Sequence, residues 1–372
     1  MTTNEEWLQS PHRFGKVGAR HHVVPSFVLK KWADSSGRVW AKSKHDRIEG
    51  IRTVANLAIT DFYTFIATDG KLDSSLEHLL SGVEDRAALV LRKLNNPFMG
   101  NVALTYQEFT ELVEFVAFQI VRSPRRRREH EMMVDWYAKT MVGGRMADTV
   151  TEDDLRALEF TPHQNEHIEI MTAGAAAVAD ELLQRPVGLL TLDRPLLLIG
   201  DEMVIVLTEG EPVPHLPECA HPDERPPRKA TRRRSPKKKG RRPREVTELV
   251  HVVPTQRRGI ATAEEIAMPI SPRTVLLFAP RADWDGVVAR GQLGGADADE
   301  LATTINDRIV EDSLDMIVGR IDDEQFRALA IPEHRPLLTA CGSTGAANEA
   351  LTAVPKRLRP QRLDRDAEPA ES

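Results

Sequence analysis

Two adjacent histidines near the start of the chain are the first residues whose types could carry chemistry. They are His21 and His22, within the stretch RHHVVPSFVLKKW at positions 20–32. A neutral imidazole can ligate a metal ion or accept a proton near neutral pH. Adjacent side chains on a helix or in a cap point well apart, so the two rings need not share one ligand. The alternative is structural: both rings anchor the short helix that follows, through backbone carbonyls.

Two carboxylates, Glu77 and Glu84, lie seven residues apart on one predicted helix. They project from nearly the same side of that helix, at the edge of its apolar stripe. Such a pair could bind a divalent metal ion or act in acid–base catalysis. The candidate metal ligands are therefore His22, Glu77 and Glu84. Glu77 also has a structural explanation, because Ser74 and Glu77 fit a capping box.

The following helix, FTELVEFVAFQIVRSP, is apolar on most sides and carries Gln119 and Arg122 near its end. A helix of this kind should be deeply buried. Its two polar residues then need partners, because buried polar and charged groups without partners are costly. Glu84 or Glu77 would suit Arg122. The result is either a structural ion pair or an arginine that a carboxylate holds and directs at an anion.

A reactive site built from these residues would also take an acid from a later turn, Asp201. These residue types are those of a metal-assisted or general-base hydrolase. Nucleotide-cradling loops and serine-hydrolase elbows are not supported, because GxxxxGK[ST], GxGxxG and GxSxG are absent from the sequence. The candidate catalytic residues are His21, His22, Glu84, Gln119, Arg122 and Asp201.

The elements that must position these residues are mostly helices in the first half of the chain and short strands in the second. Apolar spacing predicts helices over 75–94, 106–121, 124–142 and 163–184, and a last helix over 298–320. Short strands are predicted at 38–44, 50–54, 61–66, 188–192, 196–200, 204–208, 250–254, 266–270 and 274–280. This order predicts an α+β fold, with a mainly helical body and a small antiparallel sheet, rather than a wound parallel sheet.

Charge is concentrated in one segment, which begins at Arg225 and ends at Arg244. It reads RPPRKATRRRSPKKKGRRPR, with twelve Lys or Arg, four prolines and no acid. The whole chain has a formal net charge of −6, so the remainder carries −18 once these twelve positive charges are set aside. Such a segment cannot bury enough apolar surface to order itself. It is either an electrostatic arm for nucleic acid or a solvated linker that folds back onto the acidic body.

The predicted domain organisation follows from these shifts in composition. Residues 21–208 and 246–333 form a single α+β domain, preceded by an N-terminal tail over 1–20. A disordered basic insertion occupies 209–245, and a disordered tail rich in Pro, Ala, Arg and Asp occupies 334–372.

The compartment is predicted from cysteine usage and hydropathy. The chain has two cysteines, Cys219 and Cys341, and neither lies in a CxxC or Cys/His pattern, which favours a reducing environment. No signal peptide is visible at the polar N-terminus. The most apolar stretch, 187–200, is too short and too interrupted to span a bilayer. We expect a soluble cytoplasmic protein without a membrane partner. A protein partner or a homo-oligomer stays open.

Several segments together resemble the domain-of-unknown-function 4238 family of bacterial and fungal proteins, over roughly 20–322. The segments that carry the resemblance are HHVVPSFVLKKWA, ITDFYTF, the helix with Glu77 and Glu84, FQIVRSPRRR, LLLIGDEMVIVL, MPISPRTVLLF and TTINDRIVEDSLDMIV. The chain departs from the family at Gly200-Asp201-Glu202-Met203, where Ser-Asp-x-Pro is favoured. Its basic segment also looks like an insertion. The resemblance implies an architecture and candidate positions, but no reaction, because the family's activity is unassigned.

Two functions of different classes follow from these residues. In the first, the protein is a hydrolase, specifically a nuclease, that uses the histidines with carboxylates and a divalent metal ion. The basic segment and the arginine-rich helix would then hold the phosphate backbone. In the second, the protein is a non-catalytic regulatory protein that binds nucleic acid or another protein through the basic segment. An open pocket lined by the candidate residues would favour the enzyme, and a sealed or scattered arrangement would favour the binding protein.

Overall fold

The structure is a computed structural model that describes residues 20–355, apart from 68–71, 74, 97, 99, 147–148, 164, 208–250, 255–258 and 342–344. Its class is α+β, as predicted. The helices of this part of the chain are α1 (Ser26–Leu29), α2 (Ser75–Leu94), α3 (Tyr106–Val121), α4 (Pro124–Arg145), α5 (Glu152–Ala157), α6 (Glu166–Leu182), α7 (Gly295–Asp312), α8 (Glu324–Ala328) and α9 (Ala346–Leu351). No described helix is long and apolar enough to cross a membrane.

The strands are short and are spread over several small sheets. They are β1 (Arg20–His21), β2 (Arg38–Ser43), β3 (Glu49–Thr53), β4 (Ile59–Thr60), β5 (Phe65–Ile66), β6 (Leu72–Asp73), β7 (Val102–Ala103), β8 (Val187–Leu192), β9 (Ile199–Gly200), β10 (Ile205–Leu207), β11 (His251–Pro254), β12 (Glu265–Ser271), β13 (Thr274–Phe278), β14 (Val287–Leu293), β15 (Met316–Gly319) and β16 (Leu338–Cys341).

Two of these sheets contain most of the strands. The six-stranded sheet has the order β10-β12-β13-β8-β14-β7, and the four-stranded sheet has the order β3-β2-β15-β9. Neighbouring strands are antiparallel except β8 and β14, which are parallel. The strands predicted at 38–44 and 50–54 are present as the antiparallel pair β2 and β3. The remaining ladders pair β1 with β4, β5 with β6, and β11 with β16.

The helical body is centred on α3, which packs against both α2 and α6. Its apolar residues are buried on nearly all sides, as the sequence predicts. Thr105 caps the helix by accepting from the Glu108 amide, and the Glu108 carboxylate accepts from the Thr105 amide in return. The residue types at 105 and 108 fit a capping box in the sequence, and the structure confirms this box. The other predicted box includes Ser74, which lies outside the described residues.

Two predicted elements differ from the structure. The last long helix ends at Asp312 instead of near residue 320, and 316–319 form strand β15. The reason is that the Asp201 carboxylate accepts hydrogen bonds from the amides of Leu314, Asp315 and Met316, which leave the helical path. The predicted strand over 61–66 is reduced to Phe65–Ile66, after a turn in which Asp61 has a positive φ of 54°.

The prediction that 334–372 are disordered is wrong for their first part. Strand β16 (Leu338–Cys341) pairs with β11, and helix α9 (Ala346–Leu351) packs against α4. Buried Leu337, Leu338 and Leu351 form a small apolar cluster with Met132 and Leu314. β16 and α9 are short, with four and six residues, so their few apolar positions give no sustained periodicity from which these elements could be predicted. The basic insertion over 209–245 and residues 356–372 lie outside the described residues.

Candidate functional site

His21 is fixed by the β1–β4 ladder, in which it pairs with Ile59. Its side chain is fully buried, and its Nδ1 accepts a hydrogen bond of 2.7 Å from the Tyr63 backbone amide. A nitrogen that accepts carries no proton, so the ring is neutral with its hydrogen on Nε2. The imidazole stacks on the Tyr63 ring with 5.4 Å between ring centres. His21 therefore positions Tyr63.

Arg122 follows the last residue of α3 and is 3% exposed. Its Nη1 donates to Glu84 Oε1 at 2.8 Å, and its Nε and Nη2 donate to Gln119 Oε1 at 3.1 and 2.8 Å. The guanidinium carbon also lies 6.0 Å from the centre of the Tyr63 ring. Burial alone would lower the pKa of Arg122, but Tyr63, Glu84 and Glu77 together raise it. The predicted buried pair between Arg122 and Glu84 is present.

Glu77 is the acid of this group that lacks a hydrogen-bonding partner for its side chain among the described residues. Burial raises the pKa of its carboxyl to about 7, with a further contribution from Glu84, while Arg122 acts in the opposite direction. Both protonation states are then populated near neutral pH. A carboxyl in that condition is suited to general acid–base catalysis.

Two buried polar atoms next to Arg122 also lack partners among the described residues: Gln119 Nε2 and the Tyr63 hydroxyl oxygen. The two hydrogen bonds from Arg122 fix Gln119 Oε1 as the acceptor, so Nε2 is the donor left over. Burial raises the pKa of Tyr63, which keeps its hydroxyl protonated and able to donate. Most buried polar groups in folded proteins are hydrogen-bonded, and these two are among twelve buried side-chain atoms of the described residues for which no hydrogen bond is found. We name His21, Tyr63, Glu77, Glu84, Gln119 and Arg122 the Arg122 cluster.

The Arg122 cluster includes four of the six predicted catalytic residues and excludes the other two. It contains His21, Glu84, Gln119 and Arg122. His22 Nε2 instead donates to the Val54 carbonyl oxygen at 3.2 Å, as an anchor of the kind considered from the sequence. The part of the chain that the structure describes holds no group of three or more His, Cys, Asp or Glu that could hold a metal ion. The set His22, Glu77 and Glu84 is therefore not brought together.

A family model for proteins of unknown function, DUF4238, matches residues 20–323. The chain belongs to the DUF4238 family. The matched range contains the whole Arg122 cluster and ends before β16 and α9. No curated protein and no solved structure matches the chain.

Asp201 has a structural role, because it binds backbone amides outside the Arg122 cluster. Its two oxygens accept three backbone amides at the start of β15, at 2.8 to 3.0 Å, and the residue is 5% exposed. Burial raises the pKa of its carboxyl to about 6, against the opposing effect of the amides. Asp201 was predicted to be catalytic. In the structure its oxygens are occupied by backbone, because the chain must turn from α7 into β15.

The arginine-rich helix α4 faces inward at the positions expected to hold a phosphate backbone. Arg125 and Arg128 are 4% and 7% exposed. Arg125 donates to Glu129 and Asp312, and Arg128 donates to Glu131. These pairs use part of the guanidinium donors of the two arginines and set acids beside them. The expectation that this helix holds a phosphate backbone stays a prediction.

Tyr63 and Glu202 are two further residues of note that the sequence patterns did not indicate. Tyr63 lies in the turn that was predicted as a strand, so its contact with His21 was not foreseeable from periodicity. Glu202 is 5% exposed, and burial raises the pKa of its carboxyl to about 8, with Arg125 acting in the opposite direction. The available signal for Glu202 was its position beside Asp201 in an otherwise apolar segment.

Proposed function

We propose that the protein is a hydrolase, specifically a nuclease. Its reaction takes place at the two carboxylates of the Arg122 cluster, Glu77 and Glu84, which we call the carboxylate edge. The observation that carries this proposal is Glu77: a carboxyl without a hydrogen-bonding partner among the described residues, with a pKa raised to about 7 beside a second carboxylate. Strongly shifted acids in partly buried clusters are typical of catalytic sites.

Glu77 would act as the proton carrier of the hydrolysis. Its ionised form takes a proton from the attacking water as the water oxygen bonds to phosphorus. The bond from phosphorus to the leaving oxygen then breaks, and that oxygen receives the proton. Glu84 holds Arg122 in place at 2.8 Å, so the positive charge beside the reaction is fixed before substrate binds.

A divalent metal ion would help at this edge. Mg²⁺ is usually held by one or two carboxylates together with substrate phosphates, and it keeps several waters. Glu84 would provide such a carboxylate, and a bound cation would offset the repulsion of a phosphodiester by the two acids. Glu77 would stay outside its coordination sphere, because a ligated carboxylate would lose the raised pKa that proton transfer requires. His22 is not assigned to this arrangement, because its Nε2 donates to the Val54 carbonyl oxygen and the described residues bring no three His, Cys, Asp or Glu side chains together for a metal ion.

The substrate class is inferred from charge. The twelve Lys and Arg between Arg225 and Arg244 would attract a polyanion, and nucleic acid is the polyanion that such segments commonly bind. The chain has two cysteines, neither of them in a CxxC or Cys/His pattern, which is consistent with a cytoplasmic place of action.

The test is a cleavage assay on end-labelled single- and double-stranded DNA and RNA, with Mg²⁺, with Mn²⁺ and with a chelator. We expect wild-type protein to cleave at least one substrate. Glu77→Gln should lower the rate by about 10²–10⁴-fold, the usual contribution of general acid–base catalysis. Its melting temperature should not fall, because the amide is neutral and similar in size.

The matched control is Asp85→Asn, since Asp85 is an exposed acid on the same helix. This variant should cleave like the parent protein. Wild-type protein that cleaves none of the substrates, or Glu77→Gln that cleaves as fast as Asp85→Asn, would refute the proposal.

A second function, regulatory binding without catalysis, is favoured by one observation: His21, Gln119 and Arg122 are 0%, 3% and 3% exposed. Substrate could then reach the carboxylates but not the sealed part of the cluster. Nucleic acid or a protein partner would bind through the basic segment, and no turnover would follow. Binding in the same preparations without cleavage under any metal condition would select this function.

A further inference from the structure

A groove of about 790 Å³ lies between the start of α3 and the loop that joins β13 to β14. It lies at the opposite end of α3 from Gln119 and Arg122, and none of its lining residues belongs to the Arg122 cluster. Tyr106 is 79% exposed, and Trp284 packs against buried Phe109 with 4.4 Å between ring centres. The groove therefore offers aromatic surface to a ligand.

The described lining of this groove has more acidic than basic side chains. Among its described lining residues the cation is Arg281, which is already paired with Glu181. Asp283 and Asp285 are exposed, and neither forms an ion pair within the described part of the chain. Asp285 accepts a hydrogen bond from the Val287 amide, which fixes the loop that carries both acids. A partner of matching chemistry would bring cations and flat or ring-shaped apolar groups.

Peptides rich in proline and arginine have that chemistry. Proline-rich peptides dock in aromatic-lined grooves, and arginine stacks on aromatic faces while pairing with carboxylates. The chain contains such a peptide at residues 225–229, RPPRK, which opens the basic segment. We propose that the Tyr106–Trp284 groove binds residues 225–229 of the same chain.

The lengths of chain permit this contact. The groove borders β7, and the last described residue before the basic segment, Leu207, ends β10 at the opposite edge of the six-stranded sheet. Five strand spacings amount to about 24 Å. The 18 residue steps from Leu207 to Arg225 can span about 60 Å when extended. The return from Lys229 to His251 is longer still.

This inference does not rest on the proposed nuclease activity. It gives the arm a resting position on the acidic body, from which a polyanion would displace it. A protein partner with a similar peptide would have to compete with the chain's own segment.

The test is zero-length coupling of carboxylates to lysines with a carbodiimide in the full-length protein, followed by mass spectrometry. Lys229 should be joined to Asp283 or Asp285. Salt at about 1 M, where the Debye length is about 3 Å, should reduce this product. The double variant Tyr106→Ala with Asp283→Asn should lose most of it, with an unchanged melting temperature because both side chains are exposed.

The matched control combines Tyr137→Ala with Asp85→Asn, an exposed tyrosine and an exposed acid from other surfaces. It should retain the product. An equal mixture of ¹⁴N- and ¹⁵N-labelled protein shows whether the joined residues belong to one chain. Equal product in both double variants, no product in wild type, or product that mainly joins light to heavy chains would each overturn the proposal.

Discussion

At the scale of single residues, the buried guanidinium of Arg122 determines the state of the acids around it. Arg122 forms an ion pair with Glu84 and donates two hydrogen bonds to Gln119 Oε1. The neighbouring Glu77 carboxyl receives no hydrogen bond from this guanidinium. The same low-dielectric surroundings that strengthen the Arg122–Glu84 pair make ionisation of Glu77 unfavourable. Glu84 is thus bound to Arg122, whereas the raised pKa of Glu77 suits this second acid to proton transfer.

The first prediction concerns the pH dependence of stability. Glu77 titrates at about 7 in the fold, against 4.5 as an ordinary glutamate. Between these values the folded chain holds a proton that the unfolded chain has lost, so Glu77 lowers the free energy of unfolding as the pH rises through this window. The full shift would amount to at most about 3 kcal/mol, and solvent at the partly exposed carboxyl reduces it.

Glu77→Gln remains neutral throughout this pH range, so the difference in unfolding free energy between variant and wild type isolates the titration. The variant should be close to wild type near pH 4.5 and more stable than wild type above pH 7. Urea titrations at several pH values measure this difference. A constant difference across the range would contradict the shifted pKa. Asp85→Asn is again the control.

The pairing of Arg122 with Glu84 was predictable, because an arginine in an apolar helix must find an acid and the apolar edge of the preceding helix offered Glu77 and Glu84. The role of His21 was not predictable. Its bond to the Tyr63 amide spans 42 residues and depends on the β1–β4 ladder, which consists of two residues from each strand. Pairs this short leave no alternation in the sequence. The different surroundings of His21 and His22 also depend on that ladder, which includes His21 and not His22.

At the scale of elements, α4 has two different neighbours along its length. Its first turns lie beside the end of α7, where Arg125 bonds to Asp312. Its later turns pack against α9, where the Trp136 indole donates to Asn348 at 2.9 Å. Long helices with strong periodicity were therefore well predicted. The burial of the polar face of α4 was not predicted. It depends on contacts with the end of α7 and with α9, and the sequence of α9 has no sustained periodicity.

The second prediction concerns the C-terminal elements. Ending the chain at residue 333 removes β16 and α9, together with Leu337, Leu338 and Leu351 of the small apolar cluster. Burial of one leucine is worth about 1.5–3 kcal/mol. We expect a loss of about 3 kcal/mol or more, which lowers the melting temperature of a domain of this size by roughly 6–12 °C.

A chain that ends at residue 355 keeps these contacts and should melt like the full-length protein. Leu351→Ala, at a fully buried position, should lie between the two. Circular dichroism melts of the three proteins measure the differences. If the chain ending at 333 melts like the full-length protein, β16 and α9 do not stabilise the body.

At the scale of the whole molecule, the chain separates its charges. Twelve cations lie in one internal segment of 20 residues, and the remainder is strongly acidic. Within the described body, α4 pairs its buried Arg125 and Arg128 with acids of the fold. Composition alone indicated this division. It could not indicate which surface of the body the segment would meet, because the Tyr106–Trp284 groove brings together residues about 180 positions apart.

The last prediction tests the segment as a nucleic-acid arm. Replacing residues 225–244 by a Gly/Ser linker of equal length should leave the melting temperature nearly unchanged, since such a segment adds little to a core. Binding to DNA should weaken, and the slope of log K against log salt should flatten. The expected change is about 0.9 on duplex DNA, and about 0.7 on single strands, for each phosphate that the protein no longer neutralises.

A scrambled segment of the same composition is the control. It keeps the charge and should keep the slope, although its RPPRK order, which the groove requires, is gone. Fluorescence anisotropy at several salt concentrations measures all three proteins. If the linker protein binds with the affinity and slope of wild type, nucleic acid is not the partner of this segment, and the nuclease proposal loses its argument for substrate class.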